Sequence, residues 1–311
     1  MTDVPTEMAG AGELLRSLRA VVPRLRAQQH KGQAGRVGVL GGSAEYTGAP
    51  YFAAITAMRT GADLAHVFCP RDAAAAIKAY GPDVIVHPVL DAPDAVAQIR
   101  EWAPRLCSLV VGPGLGRDRR TLDTVQRLVE ALRPLELPMV FDADALWLVA
   151  QAPDLVRGYH SAVLTPNAAE FGRLYKAVLH EELAVAHYGE QHVRALSREL
   201  GDVAIVRKGR DDAVVCGDTA LWCSEPGSLR RCGGQGDLLA GALATLLHWT
   251  KTTNQPLAVD ARLLAAYGAC ALTRRASRLA FERHGRSMLA SDMLQHVHTA
   301  FEQLFEDRVG G

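Results

Sequence analysis

From residue 36 onward, short apolar runs alternate with stretches whose apolar positions recur at helical spacing. "RVGVLGG" (36–42) reads as a buried strand ending in glycine. "APYFAAITAMRTGA" (49–62) follows, with Tyr51, Ile55 and Met58 on one helical face. "LAHVFC" (64–69), a helix through "AAAAIKAY", and "VIVHPVL" (84–90) continue the alternation. After a further helix come "CSLVVGPGLG" (107–116), "PMVFDADAL" (138–146) and "SAVLTPNAAEF" (161–171). Each is a strand whose carboxyl end runs into glycine or polar residues before a helix begins. This alternation implies right-handed crossovers and a largely parallel sheet.

The rhythm changes over 203–223. "VAIVRKGRDDAVVCGDTALWC" holds three short β-type runs separated by "KGRDD" and "GD", which predicts antiparallel hairpins. Helices are expected at 236–249, about 258–279 and about 290–306. No Pro-, Gly- or Ser-rich linker divides the chain, and no repeat is visible. The pattern predicts one α/β domain over 30–311, preceded by a helical extension over 1–29.

Ligands of open α/β sheets bind outside the carboxyl ends of the strands. That rule places "GGS" (41–43), "GPGLG" (112–116), "DAD" (142–144), "TPNAAE" (165–170) and "KGRDD" (208–212) on one rim. Five such exits on one rim predict a cleft rather than a set of turns.

Composition narrows the partners. The 311 residues carry 34 basic and 34 acidic side chains, so net charge is zero. Nothing there points to nucleic acid or a membrane surface as the main partner. The six cysteines are scattered with no metal-ligand spacing, as expected of reduced thiols. No apolar run approaches the roughly 20 residues that span a bilayer. "ELLRSLRAVVPRLRAQQHKG" is Arg-rich and amphipathic, as mitochondrial transit peptides are, but Asp3, Glu7 and Glu13 precede or join it. A surface helix leading into a cytoplasmic protein is the expectation, with a mitochondrial address as the alternative.

The chemistry gathers around "RRCGGQGDLLAGALATLLHW" (230–249), where a glycine run ends in one carboxylate at the start of an apolar helix. Glycines admit close approach of a ligand, and a helix N-terminus favours anions. Asp237 would be held ionised there and could act as a base; a tight turn with Asp237 as helix cap is the alternative. "GPGLG" is a poor match to a dinucleotide fingerprint, and no Walker-type phosphate loop is present. In "DAD", Asp142 should face the cleft and Asp144 should cap the next helix. Asn167 and Glu170, three apart at a helix start, form either a capping box or a pair organising Mg²⁺ and its waters. Lys208 either meets a phosphate as a point charge or is a solvated hairpin lysine. His66 and His87, inside β-type runs, read as core histidines without a role. Together an anion hole, a base, a metal-organising pair and a lysine suggest phosphoryl transfer.

G-x-G-D opening a late helix and N-x-x-E after a strand resemble the ribokinase-like superfamily, a three-layer α/β/α fold. More specifically, "HKGQAGRVGVLGGSAEYTGAPYFAAI", "GADLAHVFCP", "IKAYGPDVIVHPVL", "LVVGPGLGRD", "DADALWLVAQ", "VLTPNAAEFGRLY" and "RRCGGQGDLLAG" resemble, in order, the eukaryotic-type ATP-dependent (S)-NAD(P)H-hydrate dehydratases. The resemblance covers about residues 30–306 and is weakest over 176–200. It implies that ATP phosphorylates the C6 hydroxyl of the hydrated nicotinamide and that loss of phosphate restores NADH or NADPH. It implies ATP contacts at Lys208, Gly209, Arg210, Asp211 and Asp212, and along Gly227, Ser228, Leu229, Arg230, Arg231, Cys232, Gly233, Gly234, Gln235 and Gly236. Hydrate contacts are implied at Gly114, Asn167, Ala168, Ala169, Glu170, Phe171, Gly172, Arg173 and Asp237, and at Ala49. Mg²⁺ is the implied cofactor, a separate epimerase the implied companion, and a homo-oligomer is compatible with the pattern. A small-molecule kinase would use the same base and anion hole, and a catalytically silent nucleotide-binding protein is the rival from another class. An intact Asp237 with its glycines argues against the silent protein.

Overall fold

The computed structural model describes residues 10–28, 30–182 and 188–306. The elements alternate as the pattern predicts. Helix α1 (Ala11–Val21) leads into β1 (Arg36–Leu40), α2 (Gly48–Thr60), β2 (Leu64–Cys69), α3 (Arg71–Tyr80) and β3 (Ile85–Pro88). Then follow α4 (Ala95–Trp102), β4 (Ser108–Val111), α5 (Arg119–Leu132), β5 (Met139–Phe141), α6 (Asp144–Gln151) and β6 (Ala162–Leu164). Helices α7 (Ala168–Leu179) and α8 (Glu190–Glu199) precede β7 (Ala204–Arg207), β8 (Asp212–Cys216) and β9 (Thr219–Cys223). The chain closes with α9 (Gln235–Thr252), α10 (Ala261–His284) and α11 (Ala290–Phe305). The segment 183–187, within the stretch where the family resemblance is weakest, lies outside the described residues.

The nine strands form one sheet in the order β3-β2-β1-β4-β5-β6-β7-β8-β9. Pairing is parallel from β3 through β7, and β8 and β9 extend it antiparallel, as the hairpin signals at 203–223 imply. Alternation along each strand supplies two cores. In β5, Val140 packs with the face covered by α1–α3 and α9–α11, whereas Met139 and Phe141 pack with the face covered by α4–α8. This is a three-layer α/β/α architecture. Helix α1 joins the first core through Leu14, Leu18 and Val21 and is tied down where Arg19 Nε donates to the Leu304 carbonyl at 3.0 Å.

Two features position the site. Strand order reverses between β1 and β4, which opens a crevice at their carboxyl ends. The chain closes on itself there by main chain: Gly42 N–H donates to the Pro113 carbonyl at 2.9 Å. A Cβ at Gly41 would lie 2.3 Å from that same oxygen. A Cβ at Gly112, whose φ is +124°, would lie 1.7 Å from the Asp142 carbonyl. Helix α9 is apolar nearly all round and lies deep in the first layer, which suits a helix packed on several sides. It crosses α2 so closely that a Cβ at Gly241 would fall 2.0 Å from the Ala53 carbonyl. Trp249 Nε1 anchors its far end on the Ala34 carbonyl at 2.7 Å. The first turn of α9 is thereby held against the carboxyl rim of the sheet.

Candidate active site

Three adjacent parallel strands end at one level, and the residue after each joins one hydrogen-bonded cluster at the rim. Asp142 follows β5, Thr165 follows β6 and Lys208 follows β7. The main chain continues the ladder past the strands, with Thr165 N–H on the Phe141 carbonyl and Lys208 N–H on the Pro166 carbonyl. Asp142, only 2% exposed, accepts on one oxygen from Thr165 Oγ1 and from Lys208 Nζ, both at 2.8 Å. Lys208 is thus no solvated hairpin residue. Its ammonium also stands 3.9 Å from the Glu170 carboxylate.

The N-terminus of α9 faces this pair. Gly234 is the residue before the helix, with φ +94°, a conformation that favours glycine. A Cβ at Gly236 would lie 3.3 Å from Lys208 Nζ and 3.5 Å from Asp142 Oδ2, so the turn stands in contact range of the pair. Amides of a helix's first turn have no intrahelical acceptor and point outward. Here they open into a cavity of about 670 Å³ lined by both the glycine loop and the acid–lysine pair.

Asp237 is the third residue of α9, and no side-chain cap bond forms at this end. The helix-cap alternative therefore fails. The expectation that the helix end holds Asp237 ionised also needs correction. Its carboxyl is pushed well above the usual range, by enclosure in the protein and then by the negative charge of Asp142, against the opposing pull of Lys208. Glu170 is raised as well, by burial first. Three carboxylates share one ammonium, so the desolvated cluster carries excess negative charge.

Asn167 and Glu170 form a complete capping box on α7. Glu170 N–H donates to Asn167 Oδ1 at 3.0 Å, and Asn167 N–H donates to Glu170 Oε2 at 2.8 Å. The box engages Asn167 Oδ1 and Glu170 Oε2 once each and leaves Glu170 Oε1 outside it. Asp144 departs from expectation. It is the first residue of α6 rather than its cap, and its carboxylate accepts from Gly116 N–H at 2.9 Å and pairs with Arg117. The residue before α6 is Ala143, with φ +50°, a strained position for a residue with a Cβ, on the cavity wall.

The other sequence-derived residues divide into groups. Asn167, Glu170, Lys208, Gly209, Arg210, Asp212, Gly227 and the run from Arg231 through Asp237 line the cavity. Asp211 and Arg230 do not, and Leu229 is 89% exposed. Ser228 is buried, donating its amide to Ser277 Oγ and its hydroxyl to the Arg230 carbonyl, which fixes the loop. Ala168, Ala169, Gly172 and Arg173 lie along α7 beside the cavity rather than on its lining. Phe171 is fully buried against Tyr175 and Tyr188, so it belongs to the core rather than to the cavity wall. Gly114 and Ala49 meet each other instead at the β1–β4 crevice. His66 and His87 sit away from the cavity lining, Nδ1 to Nε2 at 3.0 Å, with burial lowering His66 to about 4.

Arg274 is a residue that sequence reasoning missed. From α10 it pairs with Asp212 at 3.4 Å and donates to the carbonyls of Glu225 and Arg210, clamping the 208–212 turn. No local signal in "LTRRASRL" separates it from a surface arginine. Cys270, Thr273, Ser277 and Met293 complete the far wall.

A mostly parallel sheet with a glycine loop leading into an acid-bearing helix at its carboxyl rim places the protein among the ribokinase-like folds. A ribokinase-like superfamily protein from Enterococcus faecalis matches with a TM-score of 0.75 at 20% identity, covering 94% of this chain and 95% of that one. The Bacillus subtilis ADP/ATP-dependent NAD(P)H-hydrate dehydratase co-crystallised with ATP and Mg²⁺ matches with a TM-score of 0.72 at 20% identity, covering 93% and 97%. Residues 37–299 match the family model described as NAD(P)H-hydrate dehydratase. The chain belongs to that family. It is 53% identical over 300 residues to the ATP-dependent (S)-NAD(P)H-hydrate dehydratase of Bos taurus, covering 94% of this chain and 89% of that one. The Danio rerio protein of the same name is 47% identical, with 96% and 91% covered.

Proposed function

We propose that the protein uses ATP to dehydrate the S epimer of hydrated NADH and NADPH, restoring the dihydronicotinamide with release of ADP and phosphate. The observation that carries this reading is the seating of Asp237 in the first turn of α9, within one cavity with a glycine loop on one side and Lys208 on the other. An acid whose proton affinity is raised by enclosure is suited to take a proton near neutral pH. Asp237 removes the proton of the C6 hydroxyl as its oxygen attacks the terminal phosphorus of ATP. The amides of 233–236 stabilise charge on the transferred group. The C6–O bond then breaks, phosphate leaves, and loss of the C5 proton forms the ring double bond. Lys208 and the 208–212 turn hold ATP phosphates.

The excess negative charge at Asp142, Glu170 and Asp237 suits a divalent cation. Among the described residues no group of three or more ligating side chains forms a metal cage. Mg²⁺ typically meets one or two carboxylates through its waters and takes its remaining contacts from phosphates. Asp142 and the Glu170 carboxylate are the residues placed to hold it that way. When bound, it neutralises phosphate charge during transfer. A separate epimerase would convert the other epimer.

The test is direct: hydrated NADH, Mg²⁺ and ATP are mixed with the protein, and dihydronicotinamide absorbance is followed. Recovery that depends on ATP is expected. No recovery with ATP, or equal recovery without it, would sink the assignment.

A further inference from the structure

Tyr46 and Tyr80 remain 60% and 49% exposed at the crevice outside β1 and β4. Tyr80 is held through its side chain and Tyr46 through its main chain. Thr47 Oγ1 and the Tyr80 hydroxyl lie 2.6 Å apart, and the Tyr51 ring stands 5.3 Å from the Tyr80 ring at 55°. Tyr46 N–H donates to Ser43 Oγ at 3.2 Å. Its carbonyl rests on bare Gly114, φ +64°, where a Cβ would come within 2.5 Å of that oxygen. Aromatic faces left in water beside a cleft suit a binding surface.

Two chains of contacts link these tyrosines to the reaction centre. Ser43, which holds Tyr46, lies 3.6 Å from where a Cβ of Gly116 would stand, and Gly116 N–H binds Asp144 at the cleft. Along α2, Tyr51 is followed by Phe52, whose ring comes within 3.3 Å of a Cβ position at Gly234, the residue opening α9. A hydrated dinucleotide with its nicotinamide end at Asp237 must send its other nucleoside somewhere. The α10 and α11 side of the cavity lies beyond the glycine loop, where ATP is placed. The crevice at the strand-order reversal is the remaining way out.

We propose that Tyr46 and Tyr80 form an aromatic shelf on which the adenine base of the hydrated dinucleotide stacks while its nicotinamide ring reaches Asp237. The proposal rests on the hydrate-dehydratase reading above. Stacking on exposed rings tolerates any base, and losing one such platform costs on the order of 5- to 100-fold in affinity.

The experiment compares wild type, Tyr46→Ala, Tyr80→Ala and Tyr46→Trp, with melting temperature as a check on folding. KM for hydrated NADH should rise about tenfold or more in the two alanine variants, with kcat and the KM for ATP within about twofold. Tyr46→Trp keeps a stacking face and should restore the wild-type KM. The hydrate of reduced nicotinamide mononucleotide, which lacks adenine, serves as substrate or competitive inhibitor and should bind all four proteins equally. Unchanged KM in the alanine variants, equal losses for both hydrates, or no rescue by tryptophan would overturn the shelf. Failure of the wild type itself to process hydrated NADH would instead count against the dehydratase reading.

Discussion

Asp142 and Lys208, 66 positions apart in the chain, meet at 2.8 Å beneath the first turn of α9. The lysine neutralises an enclosed carboxylate, and in the proposed reaction it has a second task, offering charge to a phosphate. Lys208→Ala should raise the KM for ATP more than that for the hydrate. It should also cost stability on the order of 3 kcal/mol, because an enclosed acid loses its partner. Adding Asp142→Asn should recover part of that stability but none of the ATP affinity. Urea melts of the single and double variants, with KM for each substrate, separate the two tasks.

Asp237→Asn removes the proposed base and leaves every backbone amide of 233–236 in place. Positioned proton transfer is worth about 10²–10⁴ in rate, so kcat should fall at least about a hundredfold while ATP still binds. Stability should rise at neutral pH. Unfolded, this acid ionises near the usual 3.8, whereas folded it keeps its proton to higher pH. The folded state then binds more protons within that window, so stability declines as pH rises through it and stays reduced above. An amide carries no such cost. Calorimetry at neutral pH showing a lower melting temperature for the variant would contradict this account.

The same raised proton affinity predicts the pH dependence of turnover. As the proposed base Asp237 must be ionised, so kcat/KM should fall as pH drops through a value above the ordinary carboxylate range. Asp142 is the largest charge contribution to that shift. Asp142→Asn should therefore move the acid limb to lower pH, and a limb that stays put would show that another group controls it.

Gly114→Ala tests the crevice. A Cβ there is strained by φ +64° and meets the Tyr46 carbonyl at 2.5 Å, at a cost of at least about 1 kcal/mol. Displacing Tyr46 should raise the KM for the hydrate and spare that for ATP. A parallel rise in both would place the crevice on the nucleotide side.

The strand and helix pattern was largely legible because each strand exit carried its own signal. Met139–Phe141 alternates between two cores, and "DAD" follows immediately; the predicted helix 49–62 appears as Gly48–Thr60. Asp237 and its glycines were legible because they are contiguous. What the residues hid depends on distant partners. Asp144 looked like a cap until Gly116, 28 positions away, proved to be its donor. Local preference suggested an ionised Asp237, and only the fold brings Asp142 close enough to reverse that. Arg274 acts across 62 positions to reach Asp212, a distance that no short pattern encodes.

The main-chain clasp at Gly41, Gly112 and the Pro113 and Asp142 carbonyls divides the molecule's capacity to evolve. Gly41 and Gly112 accept no side chain, so the main-chain frame of the crevice is closed to drift. The crevice rim at Tyr46 and Tyr80 is built from exposed side chains, where most exchanges leave folding intact. A lineage carrying this scaffold can exchange one alcohol acceptor for another by rewriting a few rim residues while the transfer chemistry stays untouched. Directed selection for a new acceptor should accordingly find its first productive changes at the rim and none in the clasp.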